Sequence, residues 1–139
     1  MKRRTLFLNM FSTMLDALGP SGWWPAATPL EMAVGAILTQ NTNWQGASRA
    51  MANIRDAGLL DPMALYALPE AELAELLRPA GHFRVKAGRL RNLLSLIVGE
   101  LEGDIANLAV SGLERARERL LAVKGVGPET ADSILLYGL

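Results

Sequence analysis

Residues 120–132 read Leu-Leu-Ala-Val-Lys-Gly-Val-Gly-Pro-Glu-Thr-Ala-Asp. An amphipathic run leads into Lys124, two glycines bracket Val126, and Pro128 opens a second helical segment. Glycine tolerates left-handed dihedrals, so Gly125 can close the first helix and Gly127 can turn the chain. Proline suits the first turn of a helix, where an N–H has no intrahelical acceptor. Thr130, Ala131 and Ser133 are small, which lets the second helix sit close to a neighbour. The stretch therefore predicts helix, tight hairpin, helix over about 113–137. The N–H groups of Gly125, Gly127 and Glu129 would be left without helical partners, where the helix dipole is positive. That is an anion site suited to a sugar-phosphate backbone, and it would position a nucleic acid without reading bases. An ordinary helix–turn–helix corner is the alternative.

Outward from the hairpin, the pattern is helical throughout. Phe7, Phe11, Met14 and Leu18 recur at helical spacing and predict a first helix over 6–18. Thr28, Pro29 and Glu31 form an N-terminal signature for a second helix over 29–39, apolar on most faces and so expected at the centre of the fold. Gly35 would allow close helix contact. A third helix is expected over 44–57, a fourth from the Asp61 cap and Pro62, and a fifth from about 69 to 77. A long sixth spans 82–98, a loop or weak turn covers 99–108, and 111–123 leads into the hairpin. No strand, repeat or low-complexity segment is evident. The expected fold class is all-α, one compact multi-helix domain with a helix-hairpin-helix.

Three ordered motifs carry a resemblance: Ala36-Ile37-Leu38-Thr39-Gln40-Asn41-Thr42, Gly81-His82-Phe83-Arg84-Val85-Lys86-Ala87, and the hairpin itself. Together they resemble the endonuclease III (HhH-GPD) superfamily of DNA glycosylases. Trp23-Trp24-Pro25, with Trp44 just after Gln40-Asn41-Thr42-Asn43, is similar to the members that excise 3-methyladenine. The resemblance implies a role in base excision repair: binding double-stranded DNA and hydrolysing the bond to a flipped, damaged base, an alkylated purine above all. It makes Trp23, Trp24, Pro25 and Trp44 the base pocket and Gln40 the wedge that fills the vacated stack. An indole face favours a cationic purine over a neutral one by about 0.5–2 kcal/mol. On the residues alone, the tryptophans could be core and Gln40 a helix-end cap.

Glu129 stands where bifunctional relatives place the lysine that attacks the sugar. A carboxylate cannot form that Schiff base, so the resemblance implies a monofunctional enzyme. A carboxylate in a first helical turn is also simply favourable there. The aspartate that the family uses for catalysis follows the second hairpin helix. It would lie beyond Leu139, so no catalytic residue is expected within these 139 residues, and the chain is expected to be a fragment without turnover of its own. Asp132 lies on the helix and is not a substitute. The apolar end of that helix, from Ile134 to Tyr137, would need a covering segment. The carbonyls of Leu121, Val123 and Val126 match places where relatives hold a potassium or sodium ion. A non-catalytic DNA-binding module is the alternative function.

Composition sets further bounds. The 139 residues contain no cysteine, which excludes disulfides, a thiolate nucleophile and an iron–sulfur cluster ligated by this chain. One histidine makes a zinc site improbable. Fourteen basic and fourteen acidic residues cancel, so DNA binding cannot draw on excess charge and must depend on its distribution. Arg84, Lys86, Arg89 and Arg91 cluster on the sixth helix and read as a solvated face. No membrane span, leader or protein partner is indicated, and a cytoplasmic, chromosome-associated protein is expected.

Overall fold

The computed structural model describes residues 2–20, 22 and 24–139. Among the described residues eight α-helices follow one another: α1 Arg3–Leu18, α2 Pro29–Leu38, α3 Trp44–Asp56, α4 Pro62–Ala67, α5 Glu70–Leu77, α6 Phe83–Glu100, α7 Leu113–Leu121 and α8 Pro128–Gly138. Short 3-10 turns at Arg78–Ala80 and Ile105–Ser111 complete them. No strand occurs among the described residues. The all-α expectation holds, and so does the hairpin between α7 and α8.

α2 is the centre. Residues from Glu31 to Leu38 are all buried, and the helix touches α8, α3 and α6. Each of Met32, Ile37 and Leu38 is enclosed, and burial of such a side chain contributes about 1.5–3 kcal/mol. The start is fixed locally: the Thr28 hydroxyl accepts from the Glu31 N–H at 3.2 Å, and Pro29 occupies the first turn. The far end is fixed from outside. Lys86, buried on α6, donates to Leu38 O at 2.9 Å and to Ala80 O at 2.8 Å, so a cation sits at the negative end of α2. Burial, with the charge of Arg89 adding, holds the Lys86 ammonium below the ordinary lysine range. Two further α-helices start at side-chain caps. Asn43 accepts from Gly46 N on α3, and Asp61 accepts from Ala64 N on α4.

Four readings are sharpened or corrected. The first helix forms as expected, but no residue of α1 is buried, and Phe7, Phe11, Met14 and Leu18 are all exposed. Of the loop or weak turn expected over 99–108, the turn is what forms: α6 runs on to Glu100, and a 3-10 turn begins at Ile105. Its start is capped by Asp104, which accepts from Ala106 N at 2.9 Å. Ile105 and Leu108 are buried, which a free loop could not achieve. Gly35 does not serve a helix–helix approach; a Cβ there would lie 3.3 Å from the Trp24 indole nitrogen. Finally, the apolar end of α8 is covered only in part, and Tyr137 stays exposed. Ile134 is enclosed and Leu135 packs on the core, while Leu136 remains 73% exposed.

Candidate nucleic-acid interface

The hairpin turn spans residues 122–127. Val126 is buried and anchors it; its N–H donates to Val123 O at 3.0 Å. The N–H groups of Gly125, Gly127 and Glu129 donate to no backbone acceptor, so all three face outward demand at the positive end of α8. The two glycines differ. Gly125 has φ +99°, where L-residues are strained, and a Cβ there would lie 2.3 Å from Arg89 Cγ. Gly127 has φ −91° and ψ −179°, ordinary extended backbone, with nothing within 4 Å of a Cβ. The expectation that Gly127 turns the chain is therefore wrong; its contribution is the open space in front of its amide.

The hairpin is braced from three sides. Arg117 on α7 donates to Asp132 on α8 at 2.7 Å, which holds the Asp132 carboxyl below the usual carboxylate range. Asn92 on α6 donates to Lys124 O at 3.0 Å. Gln40, in the turn after α2, supplies the third brace. Its Nε2 donates to Gly125 O at 2.9 Å and to Thr130 Oγ1 at 3.0 Å, and its Oε1 accepts from Arg89 Nη1 at 2.8 Å. The face from Arg84 to Arg91 is thus not simply solvated. Arg89 is bound to Gln40, and Arg91 donates to Leu68 O at 2.6 Å, closing the end of α4.

Two grooves flank the Arg89–Gly125 contact. One, of about 580 Å³, is lined by Trp24, Gln40, Gly125, Gly127, Glu129 and Thr130 among others. The other, of about 650 Å³, is lined by Arg84, Arg89, Arg91 and Lys124 with Glu70. Lys124 therefore lies across the glycines from Glu129, as the sequence implies.

Trp24 separates the first groove from a third, smaller cavity of about 200 Å³. Pro25, Glu31, Gly35, Trp44, Met51 and Arg55 line that cavity too. Trp24 and Trp44 meet edge to face with ring centroids 5.6 Å apart. The rings come together as expected, but a base cannot enter between indoles at that angle and distance. Tyr137 of α8 stacks on Trp24 at 6.0 Å, a neighbour not anticipated from sequence. Its place at the end of an apolar segment hid it. Glu31, also unanticipated, is buried beside the cavity; it pairs with Arg55 and accepts from Ala27 N at 3.1 Å. Trp23 lies outside the described residues.

A family model described as HhH-GPD superfamily base excision DNA repair protein matches residues 34–134, nearly the whole of α2 through α8. The chain belongs to that superfamily. Among relatives, an HhH-GPD protein of Methanocaldococcus jannaschii, provisionally named as a DNA repair glycosylase, is 43% identical over 136 residues; the match covers 96% of this chain and 61% of that one. The structure of the H. pylori 3-methyladenine DNA glycosylase bound to 1,N6-ethenoadenine superposes with a TM-score of 0.78 at 31% identity. It covers 96% of this chain and 63% of that one. An endonuclease III–DNA complex gives a TM-score of 0.72 at 18% identity, a likeness of fold. The chain spans about six-tenths of the length of these HhH-GPD relatives.

Within this HhH-GPD fold, Glu129 is exposed in the first turn of α8. Among the hairpin carbonyls, those of Leu121 and Val126 accept no backbone N–H, while Val123 O accepts one. Oxygen atoms with lone pairs to spare suit a hard monovalent cation, so the residues present fit one.

Proposed function

We propose that this chain is the DNA-holding and base-accommodating part of a monofunctional DNA N-glycosylase acting on alkylated purines in duplex DNA. One observation carries the reading. The unpartnered amides of Gly125, Gly127 and Glu129 border the same groove as Trp24 and Gln40. A phosphate seated on those amides places the neighbouring nucleotide against an indole and a polar side chain. The resemblance to an H. pylori 3-methyladenine glycosylase supports the choice of alkylated purine.

In this reading the backbone amides and α8 dipole fix the strand, Trp24, Pro25, Trp44 and Trp23 receive the extruded base, and Gln40 enters the gap. The carbonyls of Leu121, Val123 and Val126 would hold a sodium or potassium ion against the phosphate, supplying charge alone. Water displaces the base, so the glycosidic bond breaks and no amine bonds to the sugar. Glu129 excludes the lysine route at that position and has no catalytic assignment. The protein would act on the chromosome.

The test is binding and excision together. The 139-residue protein should prefer a duplex with an abasic analogue over the intact duplex, with salt-dependent affinity. Borohydride should trap no covalent complex on alkylated DNA. Equal affinity for both duplexes would remove the glycosylase reading. A non-catalytic binding module is the second reading: Asp132 is paired with Arg117 and Glu31 with Arg55, and the exposed Glu129 beside the groove has no catalytic assignment. Release of alkylpurine at a catalytic rate by this chain would eliminate that module.

A further inference from the structure

A primary amide has two N–H donors and one acceptor oxygen, and Gln40 uses all of them. Both Nε2 donors go to the hairpin, to Gly125 O and Thr130 Oγ1, and Oε1 takes Arg89. A side chain so engaged cannot at the same time enter a duplex. It is only half-buried, however, and it lines an open groove, so it can leave without disturbing the core.

We propose that this is a parked state of Gln40, and that Arg89 and Thr130 are positioning residues that hold it until DNA reaches the hairpin. The inference rests on the reading of Gln40 as the wedge. Arg89 is the link. Its side-chain carbons pack against Gly125, and its guanidinium lies between the two grooves. A phosphate arriving at the Gly125 amide comes within reach of that guanidinium. An anionic oxygen is a stronger acceptor for Arg89 than a neutral amide oxygen. The phosphate therefore competes for Arg89, and loss of that bond leaves Gln40 on two neutral hydrogen bonds. Backbone engagement and wedge release become one event, which keeps the wedge stowed on free protein and makes it available on bound DNA. A purely structural brace would behave otherwise: weakening it would lower stability and leave DNA discrimination alone.

The test measures the full 139-residue chain on two duplexes, one intact and one with a single abasic analogue, and takes the affinity ratio. Thr130→Val removes one parking bond with little change of shape. It should raise the ratio by about five-fold, the weight of one neutral hydrogen bond. Thr130→Ser keeps the hydroxyl and should stay at the wild-type ratio. Gln40→Ala should lower the ratio, and Thr130→Val should have no effect in that background. Arg89→Met should weaken binding to both duplexes while raising the ratio. The parked state is overturned if Thr130→Val lowers the melting temperature but leaves the ratio unchanged, or raises it equally without Gln40. If Gln40→Ala itself leaves the ratio unchanged, the wedge reading falls, and the parked state with it.

Discussion

The hairpin and the tryptophan cluster sit on either side of one groove, and they are built in opposite ways. The hairpin offers backbone: three unpartnered amides on a turn that Arg117, Asn92 and Gln40 hold from outside. The cluster offers side chains: Trp24 from a loop, Trp44 from α3 and Tyr137 from α8, each resting on another. Backbone amides at fixed spacing need one conformation and suit a constant ligand, the phosphate. A ring cluster can rearrange, and it must, because Trp24 and Trp44 meet edge to face and leave no slot between them. On the proposed function, the phosphate site would be formed in advance, and the base site would be completed by its ligand.

The contrast predicts an ordered set of effects. Gly125→Ala should be the most damaging, because it adds left-handed strain and drives a Cβ into Arg89. We expect about 3 kcal/mol lost in urea unfolding, with DNA binding lost in parallel. A neutral result there would mean that the turn is not held rigid.

Lys86→Met comes next, since α2 carries the Gly35 bed of Trp24 and leads directly into Gln40. It should cost about 2 kcal/mol, because two buried carbonyls lose their donor. Its pH dependence has a fixed sign. The Lys86 value is lowered in the folded state, so the unfolded chain binds more protons between that value and 10.5. The stability of wild type relative to Lys86→Met should therefore rise with pH through that window. Paired denaturant curves from neutral pH to pH 10.5 would check it.

Tyr137→Ala separates the two regions. It should cost about 1 kcal/mol through the lost ring pair, change Trp24 fluorescence, and leave affinity for intact duplex unaltered. Gly127→Ala should be the mildest in stability, within about 0.5 kcal/mol, because its backbone is ordinary and the space is open. Its effect should appear in DNA affinity, where a methyl group crowds the phosphate.

The same contrast explains what could be read from sequence. The hairpin is local: Lys124-Gly125-Val126-Gly127-Pro128 specifies turn, amides and helix start within five residues. The base site joins segments more than ninety residues apart, so Trp24 and Trp44 could be named but Tyr137 could not. Arg89 and Arg91 look like any basic helix face until the carbonyl of Leu68 and the amide of Gln40 are placed beside them. Helix α1 and helix α2 make the point for the fold. Both are rich in large apolar residues, yet α2 is enclosed and no residue of α1 is buried. Periodicity specifies a helix, whereas burial depends on what the rest of the chain brings against it.

The most direct measurement is the amide spectrum of 15N-labelled protein titrated with a short duplex containing one abasic analogue. The Gly125, Gly127 and Glu129 N–H signals should show the largest downfield proton shifts, saturating together with the Gln40 side-chain amide. Binding that leaves those three signals in place while residues elsewhere shift would contradict the account.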